Sequence, residues 1–185
     1  MARIQHPPPG RLITSVIYSH IDAVADALTM LERQFGRILG ETCDIHCSST
    51  HRYAEEMGGD LQRRFFAFEK PVQRDSLPVI KSICHKIERQ LGDRIHDYTF
   101  RAANIDPGIL TTENLVMASH RDYNHRVYLG RGVYAEMQLI YARGQYTRLP
   151  WTEPDFCHQE AIELFLRVRQ SFELISEEYA PLHRS

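Results

Sequence analysis

Hydrophobic positions along the chain switch between two periods, and the switches mark its elements. Leu12-Ile13-Thr14-Ser15-Val16-Ile17-Tyr18 is rich in β-branched residues and predicts a buried strand. Ile21, Val24, Ala25, Leu28, Leu31 and Phe35 then recur at helical spacing. Ser19 and Asp22 make a capping-box-like start for that helix, and Gly36 fits its stop. Glu41–Cys47 is a candidate strand, and Ser48–Asp60, polar and holding Gly58-Gly59, reads as a loop or broken helix. Arg64–Glu69 carries the aromatics of a strand and is expected to stop at Pro71. Leu77, Ile80, Cys84, Ile87 and Leu91 line a second helix, capped by Asp75 or Ser76, with Pro78 in its first turn and Gly92-Asp93 at its end. Tyr98–Ile105 predicts the next strand.

The order strand–helix–strand–strand–helix–strand is that of a ferredoxin-like βαββαβ core. Beyond it, Asp106-Pro107-Gly108 predicts a turn, and Thr111 or Thr112 a cap for a short helix through Leu115 and Met117. Arg126–Leu129, Gly130-Arg131-Gly132 and Val133–Tyr141 predict a β-hairpin. A second turn at Ala142-Arg143-Gly144 leads to Tyr146–Leu149 and extends it into a three-stranded meander. Pro150–Asp155 is a rigid connector, and Ala161, Ile162, Phe165, Val168, Phe172 and Ile175 mark the apolar face of a terminal helix. The predicted fold class is α+β: a ferredoxin-like core, extended by a hairpin or meander and a last helix. Residues 1–10 are expected to form a disordered lead, 11–179 a single domain and 180–185 a frayed tail.

Composition narrows the class. At 185 residues the chain suits one domain. Hydrophobic residues at 43% and charged residues at 25% predict a packed core rather than disorder. Lys plus Arg is 22 and Asp plus Glu is 24, a net charge of −2, which gives no global attraction to nucleic acid or anionic membrane. The apolar runs are far shorter than the roughly 20 residues of a spanning helix. The start, Met1 to Gly10, has no apolar h-region, so no secretory signal is expected. Cys43, Cys47, Cys84 and Cys157 read as reduced thiols of a cytoplasmic protein.

Familiar chemical motifs are largely missing. There is no G-x-x-x-x-G-K-[ST] phosphate loop and no G-x-G-x-x-G; Gly130-Arg131-Gly132 is a hairpin turn. Cys43, His46, Cys47 and His51 have zinc-ligand chemistry without a second cysteine pair, so small apolar thiols on one strand face are favoured. Cys84 is expected in the core, and Cys157, near a helix start, has the setting for a lowered pKa. Phe65, Phe66 and Phe68 read as core rather than as a base-stacking platform. Glu55-Glu56 and Arg63-Arg64 flank Gly58-Gly59, and a solvated charged loop is favoured over one that closes on a ligand.

Polar residues concentrate between Asn104 and Tyr141. Asn104 and Asp106 end a predicted strand; Arg121, Asp122, His125 and Arg126 precede the hairpin; Tyr134 and Glu136 share a strand face. Two arginines suit an anionic group such as phosphate or carboxylate. His125 can exchange a proton near neutral pH, and Asp106, Asp122 and Glu136 are oxygen donors suited to a divalent metal. The rival reading is a set of ion pairs that orders a loop.

Longer strings carry a resemblance. Asn104-Ile105-Asp106-Pro107-Gly108-Ile109-Leu110-Thr111, Leu115 to Ser119, His125 to Glu136 and Leu149 to Asp155 resemble the bacterial domain of unknown function 4416 family, as do Glu55-Glu56-Met57-Gly58, Arg64-Phe65 and Phe68-Glu69. The likeness runs from about Leu12 to Phe172. The family is uncharacterised, and some members are labelled GTP-binding protein. Neither a phosphate loop nor an Asn-Lys-x-Asp string is present here to support that label. The resemblance places Asn104, Asp106, His125, Arg126, Tyr128, Tyr134 and Glu136 on the family motif. Arg121 stands where the family often has Lys, which rules out Schiff-base chemistry at that position and leaves anion binding intact.

The leading expectation is a binder of a small anionic, phosphate- or carboxylate-bearing ligand, lined by Asn104, Asp106, Arg121, Asp122, Arg126, Tyr128, Tyr134 and Glu136. One alternative is an enzyme of phosphoryl or acyl chemistry with His125 as acid or base. Another is a non-catalytic protein-interaction module. Whether the chain is an enzyme, uses a divalent metal or forms a homo-oligomer is left open at this level.

Overall fold

The computed structural model describes residues 5–94 and 101–178. Strand β1 (Gly10–Tyr18) leads to helix α1 (Ile21–Phe35), then β2 (Ile38–Glu41), β3 (Ile45–His46) and a short α2 (Ala54–Met57). Strand β4 (Gln62–Val72) and helix α3 (Leu77–Arg94) follow. The second half is β5 (Ala103–Leu110), β6 (Asn114–Ser119), β7 (Val127–Gly130), β8 (Val133–Ala142), β9 (Gln145–Arg148) and α4 (Gln159–Glu178). The class is α+β: among the described residues, one large antiparallel sheet of nine strands, with helices on both faces.

The strand order is β2-β4-β1-β5-β6-β8-β7. Strand β3 continues the outer edge of β4, and β7 and β9 share the edge of β8 away from β6. Alternation along β1 sets the layers. Leu12, Val16 and Tyr18 face α1 and α3, packing with Phe66, Phe68, Ile80, Cys84 and Ile105. Ile13 faces the other way, toward Phe65, Leu110, Leu139 and the Phe165 side of α4. Ile17, on that second face, lies under the 47–61 segment through Cys47, Tyr53, Met57 and Leu61. All three phenylalanines of β4 are fully buried core.

Several sequence expectations change. Asp106-Pro107-Gly108 is not a turn but lies inside β5. Residues 114–119 form a strand rather than a short helix, because β5 and β8 both offer it an edge and tertiary pairing overrides the Thr cap signal. The Glu41–Cys47 strand is broken into β2 and β3, which leaves Cys43 exposed and Cys47 buried rather than on one face. Strand β4 runs through Pro71 to Val72, and α3 passes Gly92-Asp93 to Arg94. His20, not Ser19, stands at the N-cap of α1, with no side-chain cap bond. The meander is not sequential, since β7 and β9 meet the same edge of β8. Its two turns follow the sequence: Arg131-Gly132 and Arg143-Gly144 hold paired positive φ, the type I′ geometry that glycine permits. The predicted strand start at Tyr98 and the tail 180–185 lie outside the described residues.

Strand β5 carries the constraint that shapes the site. It pairs with β1 from Arg11–Leu110 to Tyr18–Ala103, but its registered partners on β6 are only Gly108–Met117, Ile109–Val116 and Leu110–Leu115. The strands approach closely there: a Cβ on Gly108 would lie 2.2 Å from the Met117 sulfur and 2.8 Å from the Val116 carbonyl oxygen. We expect Gly108→Ala to lower stability by about 1–3 kcal/mol through overpacking. Gly92, whose added Cβ meets nothing within 4 Å, should gain about 0.5–1 kcal/mol as Gly92→Ala in a helix. Urea unfolding midpoints check both, and equal shifts of one sign would contradict the close approach.

Candidate functional site

Below Pro107, β5 and β6 part, and the parting opens a cleft. In an antiparallel strand, alternate residues turn both backbone groups to the same neighbour. Ile105 turns its pair away from β1, toward the place β6 has left. Its N–H donates to Glu88 Oε1 at 2.6 Å, and its carbonyl accepts from Lys81 Nζ at 3.0 Å. Two side chains of α3, seven positions apart and so on one helix face, stand in for a strand. Pro107 shares that orientation and has no N–H to satisfy, which is why a proline fits inside β5 here.

The same two side chains begin a ring of ion pairs. Lys81, 4% exposed in its side chain, donates to Asp106 Oδ1 at 2.6 Å, and Asn104 Nδ2 donates to Oδ2 at 2.6 Å. Glu88 also accepts from Arg101 at 2.7 Å. Burial pushes the Asp106 carboxyl up, but the Lys81 ammonium and the two hydrogen bonds outweigh it and hold the group below the usual carboxylate range. Burial likewise disfavours charge on Lys81, and Asp106 and Glu88 reverse that, so its pKa is raised.

On the face shared with α4, the register places Ser15 beside Asp106 and Phe65, and Ile17 beside Asn104 and Arg63. Arg63 is buried between the rings of Phe65 and Phe156 and meets Glu153 at 2.6 Å and Asp155 at 3.0 Å. Burial lowers its proton affinity; the two carboxylates overcome this and raise it. Across the gap, Arg126 donates to Glu136 Oε2, Ser119 Oγ and the Arg121 carbonyl, each at 2.8 Å. The cleft is open to solvent on one side and has a volume of about 580 Å³, within the range of small-molecule sites.

The nine residues singled out from the sequence divide here. Asn104, Asp106, Arg121, Arg126 and Glu136 line the cleft together. His125 does not: Nε2 contacts Glu136, Nδ1 lies 3.0 Å from Asn124 Oδ1, and the ring stacks on Trp151 at 4.7 Å. It braces Glu136 from behind. Asp122 is exposed, and Tyr128 and Tyr134 pack against each other at a tilt of 53° on the hairpin, outside the cleft lining. The proposed oxygen donors do not converge as a metal site. Asp106 is held by Lys81, Glu136 by Arg126, and among the described residues no three His, Cys, Asp or Glu side chains gather for a metal. Cys157 lies in a single 3₁₀ turn, and burial raises its pKa rather than lowering it.

Sequence reasoning missed Lys81, Glu88, Arg101, Glu153 and Ser15, and favoured a solvated role for Arg63. A signal existed for the first two: each follows an apolar stripe residue, Ile80 and Ile87, at the stripe's edge. Arg63 had one also, since it alternates in phase with the core residues Phe65 and Ala67. Glu55 and Glu56 line the cleft as well, so the loop around Gly58-Gly59 faces the site and is not merely solvated.

Two arginines lining this space, Arg89 and Arg121, have no carboxylate partner among the described residues. The ion pairs among the described residues occupy Arg52, Arg63, Lys81, Arg101 and Arg126, and of the two left out Arg121 is placed against a wall residue. Its guanidinium lies 5.9 Å from the Tyr53 ring, reaching from the β6–β7 loop toward the opposite wall. Beside it, the His120 imidazole has a lowered pKa, from burial first and then from the Lys81 and His85 charges.

A family model described as Domain of unknown function (DUF4416) matches residues 8–172, which include the whole cleft lining. No curated protein and no solved structure matches the chain.

Removing the Lys81 ammonium tests the ring. Lys81→Met leaves Asp106 and the Ile105 carbonyl without their donor. We expect a loss of about 3 kcal/mol, the low end for breaking a buried pair, because the Asp106 side chain keeps 28% of its area open. Lys81→Met/Asp106→Asn should recover part of it. The Asp106 contribution is present above the unfolded pKa and fades as pH falls through the depressed folded value. The gap between the parent and Lys81→Met, read from urea unfolding, should therefore narrow below about pH 4. A gap that is constant with pH would place the loss elsewhere.

Proposed function

We propose that this chain, which belongs to the domain of unknown function family DUF4416, binds a small anionic ligand in the cleft between β5 and β6. The observation that carries this is the contrast among the cations. Most are neutralised by carboxylates, while Arg121 projects toward the opposite wall with no such partner among the described residues. Arg126 adds a buried Nε with no acceptor. An anion placed between them would meet the unpaired Arg121 charge and an Arg126 N–H that has no acceptor. His120 would gain a proton more readily beside such an anion.

His125 supports this reading as a brace rather than as an acid or base. With both ring nitrogens engaged and the ring outside the lining, it fixes the Glu136 carboxylate that in turn orients Arg126. The order β2-β4-β1-β5, with α1 joining β1 to β2 and α3 joining β4 to β5, supports a ferredoxin-like reading of the first half. Four unpaired thiols support a reducing, cytoplasmic setting.

Thermal melts with inorganic phosphate, sulfate and citrate test the proposal. At a hundredfold excess over its Kd, a ligand of the native state adds about 2.7 kcal/mol and raises Tm. Arg121→Ala should remove the rise, with its ligand-free stability within about 0.5 kcal/mol of the parent because the side chain is exposed. If no anion moves the parent's Tm, or if Arg121→Ala responds as the parent does, the anion site is not here.

A further inference from the structure

The anion reading leaves most of the cleft unused. A single oxyanion is a few water volumes in size, at ~30 Å³ each, against about 580 Å³ in the open cleft. What fills the remainder is constrained by the floor, whose chemistry differs from that of the loop carrying Arg121. Ser15, Asn104, Asp106, Glu136 and Gln138 all line this part. Two of the five are carboxylates. Asp106 uses one oxygen for Lys81 and the other for Asn104, and Glu136 one for Arg126 and one for His125. Each carboxylate retains acceptor capacity, since about four lone-pair sites are available per group. A second anion on this floor would face them at close range. A hydroxyl would donate to them.

Ser15 is an independent pointer. It is 1% exposed, it lines the cleft, and its Oγ has no hydrogen-bond partner. A buried hydroxyl without a partner is unusual, and rotation about its Cβ–Oγ bond lets it donate or accept. Its register neighbour is Asp106, so the two present a hydroxyl and a carboxylate side by side on one sheet face. Buried Gln138, on β8, completes the far side of the floor. Tyr53, 8% exposed, supplies a ring wall suited to the C–H face of a saturated skeleton.

Resting on the anion-binding reading, we infer that the ligand is a phosphorylated polyol or sugar. Its phosphate lies against Arg121 and Arg126 Nε, and its hydroxyl-bearing body lies on the floor of Ser15, Asp106 and Gln138. A free sugar phosphate and the ribose phosphate of a nucleotide share this chemistry.

Isothermal titration of the full chain separates the parts. The probes are glycerol 3-phosphate, ribose 5-phosphate, glucose 6-phosphate, adenosine 5′-monophosphate, ribose and inorganic phosphate. At least one phosphate ester should bind tenfold or more tightly than inorganic phosphate, and ribose alone should bind weakest. Arg121→Gln should weaken that ester tenfold or more. Ser15→Ala, which removes an unpartnered hydroxyl, should keep or raise the ligand-free Tm. It should also weaken the ester severalfold while leaving inorganic phosphate unchanged. Preference for the monophosphate nucleotide over the free esters identifies the nucleotide as the source, and the reverse identifies a sugar phosphate. If inorganic phosphate matches every ester and Arg121→Gln weakens all alike, the hydroxyl floor is overturned and the anion site survives. If Ser15→Ala leaves the best ester unaffected, the placement on the floor is overturned. No binding by any phosphate overturns both.

Discussion

Everything at the cleft depends on how the free edge of β5 is satisfied. A strand that loses its neighbour leaves backbone groups needing partners, and a buried unpaired group costs about 1–3 kcal/mol. Here Ile105 finds those partners in Glu88 and Lys81 of α3. Since the two side chains replace a strand, β6 is free to diverge after Met117 without leaving an unsatisfied edge. The divergence creates the space, and the replacement lines it with charge. The same substitution explains the proline inside β5, which would cost a ladder hydrogen bond if β6 continued alongside.

From this follows a division of labour among the charged groups. Lys81–Asp106, Arg101–Glu88, Arg63–Glu153 and Arg126–Glu136 are closed pairs that hold β5, α3, β4 and the β6–β7 loop in fixed relation. Pairs this sheltered from water give position more than net stability. What they position is a small set of open groups: Arg121, Arg126 Nε, Ser15 Oγ and the remaining acceptor sites of Asp106 and Glu136. The proposed binding chemistry resides in the open groups. The stacked His125–Trp151 pair extends the bracing to the connector before α4, where Trp151 Nε1 also donates to the Met137 carbonyl at 2.7 Å.

The parts of the site that were legible came from one contiguous stretch. Asn104, Asp106, Arg121, Arg126 and Glu136 lie within the polar segment between Asn104 and Tyr141, and strand ends flanking a loop are ordinary places for a site. Tyr128 and Tyr134 share that segment but lie out on the hairpin, because an alternating face says which side a residue takes and not how far along the sheet the cleft extends. The opposite half of the lining was hidden. Lys81 and Glu88 look like the solvated edge of an amphipathic helix until α3 is placed against the open edge of β5. Arg63 looks like the basic entry to a strand until Glu153, ninety residues later, arrives beside it.

Local patterning by itself determined the periodic elements: the β-branched run of β1, the 3.6-residue stripes of α1, α3 and α4, the aromatic core of β4 and the glycine turns of the hairpins. These depend on interactions between near neighbours, which the order of residues carries directly. The identity of residues 114–119 as a strand, the passage of β5 through Asp106-Pro107-Gly108 and the parting of β5 from β6 were decided only by tertiary structure. Each depends on which edge is available from a distant part of the chain. A backbone hydrogen bond is indifferent to side-chain identity, so the local sequence could not reveal that Ile105 would be met by a helix instead of a strand.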